Sequence, residues 1–204
     1  MYQVKRFIRY TIIFYAIIAV IYWFCIHPVY MNWGATPAEI NIKFQADEFI
    51  SSNSIVSTRA ININAPKEKV WPWIAQTGQN RAGFSSYYWL ENLFAAKMVN
   101  ANSITPGWQN PHPGDTVYYG KSEGYAIVSL AKPNEYYALG GWTFYLQAID
   151  TATTRLIVRY PSMEVKQSKF ATIYYYGLFE PLHFIMESGM MMGIKQRSER
   201  KEKW

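Results

Sequence analysis

Hydrophobic positions change their spacing three times along this chain, and each change predicts a different kind of element. From Tyr10 to Ile26 (YTIIFYAIIAVIYWFCI) the chain carries no charged residue. Counted through Arg9 and on to Tyr30, the run reaches the ~20 residues that a helix needs to cross a bilayer core. Residues 34–54 mix turn formers with short apolar pieces and read as an ordered connector. Ile55 to Asn64 (IVSTRAININ) then alternates, with Arg59 interrupting a face that Ile61 and Ile63 restore, the pattern of a half-buried strand. Asn64 is placed to cap a following helix, with Pro66 in its first turn and Gly78 beyond its end. Pro72 falls inside that helix, where its missing N–H predicts a kink or a cost of ~3 kcal/mol.

A second short helix is predicted from Ser86 to Ala96, with Trp89, Leu90, Leu93 and Phe94 on one side. The Asn-, Pro- and Gly-rich stretch from Asn100 to Asp115 follows; loops of such length are more often functional or mobile than inert. From Thr116 onward, β-prone runs (TVYY, YAIVSL, YYAL, WTFYLQAID, RLIVRYPSM) alternate with turn signals and predict about five antiparallel strands in meander order. From Lys169 to Arg200 the spacing becomes helical again, with Phe179, Leu182, Met186 and Met190 recurring on one side.

A length of 204 residues limits this pattern to one core with an appendage. The lone Cys25 excludes an intrachain disulfide and a Cys-based metal site. Of the net charge of +6, half lies on Lys5, Arg6 and Arg9 and half on residues 195–204, so the body between is neutral and implies no nucleic-acid partner. The basic tail suits anionic lipid or water. Because the first three cations directly precede the apolar run and nothing basic follows until Lys43, the expected topology is single-pass in the cell membrane. The N-terminus is then cytoplasmic and the body lies on the other side, with Tyr22, Trp23, Tyr30 and Trp33 in the far aromatic belt. A cleaved signal would end in small residues, whereas Tyr22 to Pro28 is mostly bulky; a buried or interfacial helix is the other alternative. The expected layout is a cytoplasmic stub and anchor (1–30), a connector (31–54) and one folded domain with a basic tail (55–204).

Few residues carry a chemical signal. Gly120 to Gly124 (GKSEG) matches G-x-S-x-G, but it lies between two strands instead of between strand and helix, and so reads as a hairpin turn. Glu180, His183 and Glu187 stand at i, i+3 and i+7, which aligns three ionisable groups on one stripe of an apolar helix. The stripe either faces water, is satisfied by Arg59 or Arg81, or points into a cavity and orients a mostly apolar ligand. A di-iron site would need a second Glu-x-x-His pair, which the chain lacks, so neither metal nor cofactor is expected. Arg81, in a glycine-punctuated link, can hold a carboxylate or phosphate with its fork. Tyr87, Trp89 and Trp142 are candidate cavity-lining aromatics, and Met186 and Met190 candidate deformable lining; ordinary core packing accounts for them as well.

The order strand, two helices, antiparallel strands and a long last helix is that of the helix-grip fold. The segments STRAININAPKEKVWPWIAQTGQNRAGFSSYYWLENLF (57–94), HPGDTV (112–117) and LFEPLHFIMESGMMMGIK (178–195) resemble the SRPBCC superfamily of START, polyketide-cyclase and birch-pollen-allergen relatives. Together with WGAT (33–36), they are most similar to its bacterial membrane-anchored members. The resemblance covers residues 31–204 and implies an α+β domain in which a curved antiparallel sheet wraps the C-terminal helix around an apolar cavity. It does not imply one chemistry. The expected function is membrane-anchored binding of a hydrophobic or lipid-like molecule in that cavity. The alternatives are a cyclase- or dehydratase-type enzyme using His183 with Glu180 or Glu187, and an envelope interaction module without ligand.

Overall fold

The computed structural model describes residues 2–86, 100–119, 124–162 and 168–200. The predicted helix after Ser86, with Tyr87 and Trp89, and most of the GKSEG turn lie outside the described residues. The apolar N-terminal run is helical throughout: α1 (Tyr2–Ile21) passes through a widened π turn (Tyr22–Ile26) into α2 (His27–Met31). From Gln3 to Met31 this helix has 29 residues, and none of its most apolar window is buried against the rest of the molecule. At ~1.5 Å per residue it is ~43 Å long, against ~30 Å for a bilayer core. It is therefore long and apolar enough to span a membrane.

The connector holds α3 (Pro37–Ile40) and a 3₁₀ turn (Gln45–Phe49). Thr36 caps α3: its Oγ1 accepts the Glu39 N–H at 3.3 Å, and its own N–H donates to Glu39 Oε2 at 2.7 Å. Six strands follow in an antiparallel sheet, β1 (Val56–Ile63), β2 (Thr116–Tyr118), β3 (Tyr125–Lys132), β4 (Tyr136–Leu139), β5 (Trp142–Ala148) and β6 (Thr154–Pro161), in the order β1-β6-β5-β4-β3-β2. The last five form the expected meander. The first strand joins its far end, pairing Val56 with Pro161 through to Ile63 with Thr154. The last helical stretch comprises α5 (Lys169–Tyr174), a second π turn (Tyr175–Phe179) and α6 (Glu180–Ser198), and the curved sheet grips it. This is the helix-grip architecture.

Alternation in the strands divides the core between the two faces of the sheet. Ile63, Val128, Tyr137, Phe144, Leu156 and Val158 pack inward with Met190, Met191 and Ile194 of α6 and with Val70, Trp71 and Ile74. On the outer face Ala60, Tyr136, Ala138 and Ile157 are covered by Phe44 and Ala46 of the connector. The connector is pinned there by two arginines. Arg155 Nε donates to Glu39 Oε1 at 2.7 Å, and that contact holds the Glu39 carboxyl down at about 2, well below the usual range. Arg159 donates to Asp47 Oδ2 at 2.9 Å and to the carbonyls of Ile40 and Ile42.

One local expectation changes, the residue that caps the helix after β1. The helix after β1 is α4 (Lys67–Ala75) with Pro66 at its N-cap, and the Asn64 N–H instead donates to Glu199 Oε1 at 2.7 Å. Pro72 lies within α4, which continues past it. The loop from Asn100 to Asp115 is tied to α4 by the buried Gln76, which donates to the Ser103 carbonyl at 3.2 Å and accepts from the Thr105 N–H at 3.1 Å. Close approach also limits α6. A Cβ at Gly193 would come within 1.9 Å of the Ser85 carbonyl oxygen. Alanine is the better helix former by ~1 kcal/mol. Contact with rigid backbone outweighs that preference, and Gly193→Ala is expected to lower unfolding free energy by ~1–3 kcal/mol, measured by denaturant titration in micelles.

Candidate functional site

The stripe on α6 is buried, and its members have separate surroundings. The side chains of Arg59 and Glu187 are each 1% exposed. Arg59 Nη1 donates to Glu187 Oε2, its Nε donates to the Tyr30 carbonyl at 2.8 Å, and Trp142 Nε1 donates to Glu187 Oε1 at 3.0 Å. Both carboxylate oxygens are therefore paired. This explains why an arginine interrupts the apolar face of β1: it points into the groove and holds the helix.

His183 is half-buried, with its ring stacked on Tyr160 at 3.8 Å. Burial pushes its pKa down to about 4, and no hydrogen bond joins it to either carboxylate among the described residues. Neutral and stacked, it serves as a wall of the groove.

Glu180 has a different partner, one contributed by the N-terminal helix. His27 Nε2 lies 3.2 Å from Glu180 Oε2, and Tyr30 Oη donates to the same oxygen at 3.1 Å. His27 Nε2 is close enough for an ion pair but not aligned for a hydrogen bond, so this nitrogen and Glu180 Oε1 are both buried without a hydrogen-bond partner. Such groups are uncommon in folded proteins, because each costs ~1–3 kcal/mol. The backbone is adapted to this place. The π turn of the first helix ends with the His27 N–H on the Tyr22 carbonyl, and that of the last ends with the Glu180 N–H on the Tyr175 carbonyl. Isolated π turns inside α-helices are frequent at functional sites.

A chain of contacts ties Glu180 to the first helix: Tyr30 donates to Glu180, Tyr22 contacts Tyr30, and Tyr22 Oη donates to the Tyr176 carbonyl at 2.5 Å. Burial raises the Glu180 pKa, against the opposing effects of His27, Tyr30 and Arg59.

Glu180 lines a small cavity of about 10 Å³, whose walls include Met31, Ile55, Arg59, Tyr160, Phe179 and His183. That is far below the ~300–1,000 Å³ of typical small-molecule sites and close to the ~10–15 Å³ that one water needs. A larger group reaches Glu180 only if these walls move.

The remaining candidates lie elsewhere. Arg81 is 3.5 Å from Asp115 and donates to the Ala75 carbonyl at 3.4 Å, away from the Glu180 pocket. Met190 is in the core, and the Met186 carbonyl accepts from Ser86 Oγ at 2.9 Å. Among the described residues no three metal-ligating side chains come together. Sequence reasoning missed His27 and Tyr30, assigning both to the anchor. An ionisable residue inside an apolar span is itself a functional signal, and it marked His27.

No family model matches the chain, and no curated protein matches it significantly. Solved structures do. A conserved protein of unknown function from Enterococcus faecalis is 11% identical, over 76% of this chain and 77% of that one, with a TM-score of 0.41. A protein from Mesorhizobium loti is 17% identical, over 72% and 99%, with a TM-score of 0.39. A polyketide-cyclase-like protein from Corynebacterium glutamicum is 13% identical, over 72% and 89%, with a TM-score of 0.33. The likeness is distant and concerns architecture, so function rests on the site.

Proposed function

We propose that this membrane-anchored helix-grip protein admits the polar end of an amphipathic molecule to the Glu180 pocket and transfers a proton on it, with Glu180 as the acid–base group and His27 as its partner. One observation carries this reading: Glu180, at a pocket wall, has its Oε1 buried without a hydrogen-bond partner, while His27 Nε2, also without one, lies 3.2 Å from its Oε2. A carboxyl whose pKa is raised by burial holds its proton more tightly than a free one, can donate it to a substrate oxygen, and once ionised can remove one from carbon beside a carbonyl. The cyclase- or dehydratase-type alternative is thereby kept, with its acid–base role assigned to Glu180 and His27, while His183 shapes the pocket.

The test is isotopic. The full chain in lipid nanodiscs, incubated in D₂O with a membrane lipid extract, should place deuterium on carbon in one class of extracted molecule. Its absence from every class would overturn proton transfer at carbon. A second reading, carriage without chemistry, draws on the mostly apolar and aromatic lining, which suits holding a chain; it predicts a bound but unlabelled molecule.

A further inference from the structure

The contacts Tyr22–Tyr176, His27–Glu180 and Tyr30–Phe184 advance together along the first and last helices, so the two run side by side in the same direction. At the start of this seam, Trp23 meets the ring of Tyr176 edge-on at 5.1 Å. Residues 170–179 (FATIYYYGLF) carry no charge. Their inward side supplies Tyr175 and Phe179 to the pocket, while Ile173, Tyr174 and Leu178 are 72%, 54% and 53% exposed. The exposed side is apolar, as are Phe24 and Val29 on the adjoining first helix, which are 73% and 62% exposed.

We propose that residues 172–179 form a second membrane contact, seating Ile173, Tyr174 and Leu178 in the bilayer interface beside the end of the span. The occupant is lipid because the patch lies beside the apolar N-terminal helix, a surface already suited to lipid, where Trp23 meets Tyr176 and Tyr22 and Trp23 place an aromatic belt. Tyr175 and Phe179, on the other side of the same turn, then set the pocket mouth at the membrane surface. An amphipathic molecule can enter from the bilayer without crossing water. The inference rests on reading the N-terminal helix as a span, and it does not depend on proton transfer at Glu180.

The experiment uses the full chain with Cys25→Ser, reconstituted in phosphatidylcholine nanodiscs and labelled with a small fluorophore at Ile173→Cys or Leu178→Cys. Ile18→Cys serves as the control for the span, and Ile149→Cys, exposed after β5, as the control for water. Labels at 173 and 178 should be quenched by lipids carrying shallow nitroxides and be several-fold less quenched by aqueous iodide than the label at 149. Iodide quenching equal to that at 149, with the label at 18 still lipid-quenched, overturns the inference and leaves the span intact. Shielding from iodide without nitroxide quenching also overturns it, since protein would then cover the face. Loss of lipid quenching at 18 overturns the span and this inference together.

Discussion

Arg59→Met is expected to destabilise the fold by ~3–5 kcal/mol, the largest effect of any single substitution considered, because it leaves the Glu187 carboxylate buried without its cation. The neighbouring contacts fix the size of the effect. Trp142 still donates one hydrogen bond to Glu187, but a neutral donor does not replace a guanidinium, and the Tyr30 carbonyl loses the donor that ties α2 to β1. Pairing Arg59→Met with Glu187→Gln removes both charges and keeps an acceptor for Trp142. The double variant should recover most of the loss, since a buried ion pair replaced by neutral groups is often close to energetically neutral. Denaturant unfolding in micelles measures all three variants. A double variant no more stable than Arg59→Met would show that the pair is not the source of the effect.

Glu180→Gln is the second large effect, and it falls on chemistry instead of stability. The amide keeps the size of the acid and an oxygen that accepts from the Tyr30 hydroxyl, so the fold should hold. It cannot exchange a proton, and deuterium incorporation should fall by ~10²–10⁴-fold. The pH dependence separates the two roles. Because burial raises the folded-state pKa above the ordinary value of 4.5, the folded protein binds this proton more tightly than the unfolded chain. Stability attributable to Glu180 is therefore complete below 4.5 and declines as pH rises from there through the folded-state pKa. In Glu180→Gln that decline should be missing. Exchange that depends on the ionised base should rise with pH over the same window. An unchanged exchange rate in Glu180→Gln would remove Glu180 from the mechanism.

What the sequence made legible follows from where the physics is local. Strand alternation, turn residues and the helical spacing of Phe179, Leu182, Met186 and Met190 are short-range signals, and they yielded the meander and the long last helix; the grip of one on the other was implied by the family resemblance alone. The i, i+3, i+7 stripe was legible for the same reason. Of its partners Arg59, one of two candidate cations, meets Glu187 from β1, whereas His27 and Tyr30 were not legible, because they reach Glu180 from the N-terminal helix, far away along the chain. Both π turns escaped detection as well, since no residue pattern in Tyr22–Ile26 or Tyr175–Phe179 announces a widened turn. Pro66 takes the N-cap in place of Asn64, whose backbone N–H meets Glu199 in a contact between distant segments.

Native mass spectrometry of the full chain, taken from its own membranes into nanodiscs and compared with Ser57→Val, which narrows the small cavity beside Glu180, tests the central claim most directly. The account predicts one amphipathic molecule per chain in the native protein and a sharp loss of it in Ser57→Val with the fold retained. An empty native protein, or occupancy that Ser57→Val leaves unchanged, would contradict it.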